Sequence, residues 1–187
     1  MAKSYYYFVS SLPSIHFDGR PAFSLEGFLE DCKRLLSSND YLSMVNILSD
    51  APERTESNDK TIKAALELYR QFNNISAALR AARAGKNPLD YIRGDMIQNS
   101  RITEIIQQAL KQDNLYEAEK IIDRAKWDFL DEIAQGQHFN FECVVVYGLK
   151  LKILERYEVL RSAKGAEVYQ GFKSMDLSNI ETISVEG

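Results

Sequence analysis

The chain has 187 residues and spends few of them on the types that punctuate a fold or carry its chemistry. It holds only 9 glycines and 4 prolines, too few for the dense turns of an all-β chain, and no Asn-Gly hairpin signal occurs. Its two cysteines, Cys32 and Cys143, stand far apart and show neither a disulfide framework nor a metal spacing. A reducing, cytoplasmic compartment is the expectation. The two histidines, His16 and His138, lie in separate loops, and HxxxH, CxxC and HExxH patterns are missing, so no metal site is expected. GxxxxGK[ST] and GxSxG are missing as well, which removes the common phosphate loop and nucleophile elbow. No cofactor is expected. Long apolar runs are also lacking. The richest aromatic stretch is YYYFVSSLP, Tyr5–Pro13, and its five-residue apolar run is far short of the ~20 residues that span a bilayer. It does not read as a secretory signal either, because no small-residue cleavage pattern follows. Positive charge is not in excess: the net charge is −4, and basic residues are not interleaved with aromatics, which argues against nucleic-acid binding.

What remains is an ordinary globular composition, 45% apolar and 27% charged. A chain of this length buries roughly 70% of the surface its unfolded form exposes. One helical domain is expected over 1–172, with a lead-in over 1–23 and a weakly ordered tail over 173–187. Charge is uneven. Residues 1–60 carry 6 basic and 9 acidic side chains, residues 61–112 carry 8 and 4, and residues 113–187 carry 9 and 14. A basic middle between acidic ends suits either internal pairing or a partner surface.

Helical periodicity recurs along the chain. Ser24 caps a helix over 25–37, with Leu25, Phe28, Leu29, Cys32, Leu35 and Leu36 as its apolar stripe. Cys32 lies within that stripe, which makes it a buried, inert thiol. Asp40 is read as the cap of a short helix over 41–49, with Leu42, Val45 and Ile47 or Leu48 inward. After the polar linker 50–59, Asn58 or Asp59 opens a long helix to about Ala84. Ile62, Ala65, Leu66, Tyr69, Phe72, Leu79 and Ala82 mark its inner face, Gly85 and Pro88 stop it, and Asn73–Asn74 offer a bend. A turn of helix falls in 88–100, then helices over 101–112 and, capped by Asn114, to about 134. The last helix starts near Phe141 and ends before Gly165. The triplet Val144–Val146 favours a strand, but the good helix formers that follow decide for helix, and the apolar opening places it centrally. The fold class is all-α: a bundle of about five to seven helices, one or two of them long.

No enzyme hypothesis gains a sequence feature. Neighbouring carboxylates such as Asp131–Glu132 point in different directions on a helix and cannot share one reacting bond. The clearest polar constellation is Arg80, Arg83 and Lys86, three residues apart at a helix C-terminus. There cations suit the helix dipole, and arginine forks also suit an acidic partner. Lys150, Lys152, Arg156 and Arg161 form a second basic set, scattered around its helix. Tyr5, Tyr6 and Tyr7 are the remaining candidates for partner contact, since three adjacent rings cannot all face one core.

The order of these segments is familiar. YYYFVSSLP, FLEDCKRLLSSNDYLSMVNIL, LELYRQFNNISAALRAARAGKNP, WDFLDEI and VVVYGLKLKILERYEVL resemble a bacterial family of V-type ATPase accessory proteins. Its members are similar to a shortened form of the C-type central-stalk adapter, called d-type in eukaryotes. Phe72–Lys86 and Tyr147–Arg156 carry most of the likeness. The resemblance implies the helical fold of that adapter, without an active site. It implies a role in coupling the central stalk to the membrane rotor ring during ATP-driven or ATP-forming ion transport. The implied partners are the central-stalk subunits and the proteolipid ring, with a cytoplasmic, peripheral place at the inner membrane through protein contact. In that setting the tyrosine cluster is expected to pack mainly against core helices, with one ring left for a neighbour. A generic helical interaction scaffold is the alternative.

Overall fold

All the helices after the first start where a short polar side chain takes up a free N–H group. In the computed structural model, which describes residues 5–94 and 99–161, Ser24, Ser37, Asp59, Asn99 and Asn114 accept from backbone N–H groups at five helix starts. The helices are α1 (Tyr6–Ser11), α2 (Leu25–Leu35), α3 (Ser38–Ile47), α4 (Lys60–Arg83), α5 (Ser100–Ala109), α6 (Leu115–Ile133) and α7 (Phe141–Arg161). Short 3-10 turns cover Pro52–Arg54 and Pro88–Tyr91. The described residues form an all-α bundle without strands. The expected tail at 173–187 and the end of the last helix lie outside the described residues.

The centre of the bundle is α7. Val144, Val145, Val146, Leu149, Leu151, Ile153 and Leu154 are all buried, so this helix is covered on most of its circumference. The α2–α3 pair packs on it, and so do α4 and α6, while α5 lies against α4 and α6. The strand preference of the valine triplet yields because Val144, Val145 and Val146 are all buried in the helical packing. Gly148 marks the tightest approach. A Cβ there would stand 2.9 Å from Phe28 Cε1 and 3.1 Å from Leu48 Cδ1, so only glycine lets α2 and α3 come this near. Lys152 adds a polar tie by donating to the Leu48 carbonyl at 2.9 Å, which satisfies the C-terminal end of α3. On the other side, Glu155 accepts from the Leu25 N–H at 2.9 Å, at the start of α2.

The longest helix, α4, runs unbroken for 24 residues, about 36 Å at 1.5 Å per residue. It ends in a Schellman turn: Gly85, at φ 67°, donates to Ala82, and Lys86 donates to Ala81 at 2.9 Å. The asparagine pair does not interrupt it. Asn74 is buried and clasps the Arg93 backbone, accepting from its N–H at 3.0 Å and donating to its carbonyl at 2.9 Å.

Several inward assignments differ. In α3, Leu42 and Val45 are exposed; Ile47 and Leu48 are buried as expected, and Met44 is buried with them. The helix begins at Ser38 with Ser37 as its cap, not Asp40, and the face that meets the core is turned accordingly. Leu35 is exposed because the chain leaves helical geometry at Leu36, in extended backbone. Near the end of α4, Ala78 and Ala81 are buried and Ala82 faces solvent. The lead-in is partly helical: α1 occupies Tyr6–Ser11 and sends Phe8 into the core against Phe28, with ring centroids 6.1 Å apart. Cys32 is fully buried, and burial, with Asp31 nearby, pushes its thiol up to about 12, as an inert core sulfur requires.

Candidate functional site

Arg80, Arg83 and Lys86 share the end of α4 but reach different neighbours. Arg80 stands 3.6 Å from Glu119 of α6. Arg83 donates to the Leu110 carbonyl at 2.8 Å, where it closes the C-terminus of α5. Lys86 sits 5.9 Å from the centre of the Tyr91 ring. All three remain exposed. The cations of α7 likewise serve separate partners: Lys150 meets Asp131 and lies 4.7 Å from the Trp127 ring centre, and Lys152 closes α3.

Arg80 leads into a charge cluster that no single stretch of sequence displays. Its centre is Asp123, buried on α6 where α4, α6 and α7 meet. Arg156 Nη2 stands 2.7 Å from Asp123 Oδ2, a charge contact rather than a directed hydrogen bond, and 2.9 Å from Glu119 Oε2. Lys126 Nζ approaches Asp123 Oδ1 at 3.4 Å and lies over the rings of Tyr69 and Phe72. Burial weakens the charged form of Arg156, but Asp123 and Glu119 outweigh it and hold its pKa above the ordinary arginine value. Tyr69 and Tyr157 are pushed well up by burial and then by the Asp123 charge, so both phenols stay protonated. The arrangement fixes protons rather than moving them. Its signal in the sequence is phase: Asp123 precedes Trp127 by four residues and Leu130 by seven, and both are buried.

The tyrosines divide. Tyr5 is half-buried, rests on Phe141 and donates its phenol to Asp40 Oδ2 at 2.5 Å. The Ser37 hydroxyl donates to the same oxygen at 2.6 Å. Tyr6 and Tyr7 are displayed, 51% and 82% exposed, contrary to the expected packing of most of the cluster against core helices. The core takes Phe8 instead, because a one-turn helix can send only one side inward. Tyr6 packs at a tilt against Phe139, with centroids 4.6 Å apart, and meets Tyr7 edge-on at 5.7 Å. Close to Tyr5, Glu142 is within hydrogen-bonding reach of Asp59 and feels Asp40. Burial first, and these carboxylates next, raise its pKa above the usual range.

A groove of about 450 Å³ runs between α5 and α6 under Phe17 and Phe129. Its cations are matched: Arg124 and Lys120 lie near Asp18, and Arg101 pairs with Glu132 at 2.7 Å. Among the described residues, no group of three or more His, Cys, Asp or Glu is placed to hold a metal ion. Nor is any helix among them long and apolar enough to cross a membrane.

Compared with known proteins, residues 94–175 match the model of a family described as a protein of unknown function, DUF2764. That span takes in α5, α6 and α7. No curated protein and no solved structure matches the chain.

Proposed function

We propose that the chain is a non-catalytic subunit of a bacterial V-type ATPase that couples the central stalk to the membrane rotor ring. In this reading it sits on the cytoplasmic face of the inner membrane, held there by contact with the proteolipid ring and the stalk subunits. The observation that carries the proposal is a convergence in space. The two segments that most resemble the C-type adapter, Phe72–Lys86 on α4 and Tyr147–Arg156 on α7, meet at one carboxylate. Arg80 from the first and Arg156 from the second both reach Glu119, at 3.6 and 2.9 Å. Load entering either helix is therefore shared through a charge cluster anchored on buried Asp123, which is what a force-bearing adapter needs. Ion pairs at a helix junction hold orientation more than they add stability.

The test is reconstitution. The purified chain is mixed with the purified central-stalk subunits, and separately with the detergent-solubilised ring, from the same cell. A complex in size-exclusion chromatography with light scattering is the expected result. Deleting the gene should leave ATP hydrolysis by the head intact and abolish hydrolysis-driven ion uptake into membrane vesicles. No binding to either component, together with unchanged ion uptake, would overturn the proposal.

A further inference from the structure

The corner built by α1, the start of α3 and the start of α7 brings three exposed rings near three carboxylates that meet no cation among the described residues. Tyr6, Tyr7 and Phe139 form a contiguous aromatic surface. Phe139 is held at φ 50°, a left-handed conformation that disfavours a bulky side chain, and is the one non-glycine residue with positive φ among those described. The backbone therefore bears strain while the Phe139 ring remains 45% exposed. Around the neighbouring Tyr5 stand Asp40 and Glu142, with Asp59 next to Glu142, each half-buried. Asp123 and Glu119, by contrast, each meet a cation. Here Asp40 takes two hydroxyls, Asp59 caps α4 at the Ile62 N–H, and Glu142 faces Asp59. Among the described residues none of the three is ion-paired, although Lys60 and His138 lie close by in the chain and are exposed.

We infer that this corner is a docking surface for a basic segment of a partner protein, an arginine or lysine lying across the Tyr6, Tyr7 and Phe139 rings with its charge toward Glu142 and Asp59. The rings offer their negative faces to a cation, and the carboxylates supply the opposite charge that the described residues leave unmatched. Aromatic rings that also cover apolar stem atoms are the usual anchors of such contacts. The inference goes beyond the coupling role and does not depend on it.

The probe is a helix-forming peptide of alanine, leucine and arginine, with a control peptide in which glutamate replaces every arginine. Binding to the full chain is followed by fluorescence anisotropy, and its place by amide NMR shifts. Shifts confined to residues 5–7, 40, 59 and 139–142 are expected with the arginine peptide. Tyr7→Ala should weaken binding about three- to fivefold, the size of one exposed cation–π contact. Tyr6→Ala combined with Tyr7→Ala should weaken it about tenfold, and raising the salt from about 0.05 to about 0.5 M should weaken it further through charge screening. Phe139→Gly is the safeguard on folding, because glycine suits φ 50° and should leave the melting curve no lower while still reducing binding. Four outcomes would each overturn the inference: no binding, equal binding of the glutamate peptide, shifts in the α5–α6 groove instead, or dimerisation of the chain through the same rings.

Discussion

At its C-terminal end α7 brings Arg156 to Asp123 and Glu119, whereas at its N-terminal end it brings Glu142 to Asp59 and toward Asp40. Both ends set carboxylates into the protein, but only one supplies cations. At the C-terminal end the deeper carboxylate, Asp123, is tolerated because Arg156 and Lys126 flank it and the Tyr69 and Phe72 rings cover the lysine. At the N-terminal end the carboxylates are shallower, Glu142 holds its proton more tightly through burial and their company, and exposed rings stand nearby in the chain. The difference separates two uses of charge on one helix. A matched cluster locks three helices together, and an unmatched one leaves attraction to be met from outside.

The largest effect should come from breaking the matched end. Asp123→Ala leaves Arg156 and Lys126 without their buried counter-charge, and since Arg156 is partly exposed the expected loss is about 2–3 kcal/mol. Urea unfolding measures it. If Asp123→Ala combined with Arg156→Met restores most of the loss, the penalty lies in the orphaned cation and not in the lost pair. A stability unchanged by Asp123→Ala would erase the contrast between the two ends. Next comes the pivot between them. Gly148→Ala places a Cβ 2.9 Å from the Phe28 ring and should cost about 1–2 kcal/mol through overpacking. Thermal unfolding reads this, and Gly136→Ala, which has open space around its Cβ but strains a φ of 83°, is the control for backbone effects alone.

Much of this contrast is legible in the chain, and the rest is hidden for physical reasons. Ser24, Asp59 and Asn114 announce helix starts because a cap is a local event, readable within four residues. The central place of α7 follows from its apolar opening, since a helix without a polar side must be covered all round. The face of α3 is misleading because Leu42 and Val45 fit the helical period as well as Met44 and Ile47 do, and only the position of α7 decides between them. Asp40 looks like a cap and is instead the acceptor for Tyr5, from a segment 35 residues away. Arg80 and Arg83 stand out because charges three apart on a helix end are visible in one window. Glu119 and Asp123 do not, because what makes them matter is Arg156, which lies on another helix.

At the unmatched end, Tyr5→Phe removes the phenol that holds Asp40 and joins α1 to α3. The expected loss is about 1 kcal/mol, as for one hydrogen bond to a charged acceptor that solvent can partly replace. Amide hydrogen exchange should quicken in residues 6–11 and hardly change around Asp123. Faster exchange at both ends would mean that the two regions are not energetically separate.

The smallest effect has the opposite sign, and it bears most directly on whether Glu142 is unmatched. Burial and its acidic neighbours raise the Glu142 pKa in the folded protein above its unfolded value. A carboxyl with a raised folded pKa contributes stability that is fully present below the unfolded pKa and lost as pH climbs through the folded one. At neutral pH the ionised side chain therefore weakens the fold. Glu142→Gln keeps the shape and the hydrogen-bonding capacity but cannot ionise, so at about pH 7 it should be more stable than the parent by about 0.5 kcal/mol, the size of a half-exposed charge interaction. The gain should shrink as pH falls toward the ordinary glutamate range and vanish below it, where the parent carboxyl is also neutral. Paired urea titrations at about pH 4 and about pH 7 measure both limits. A variant less stable than the parent at neutral pH would mean that Glu142 is held by a cation after all, and the two ends of α7 would then be alike.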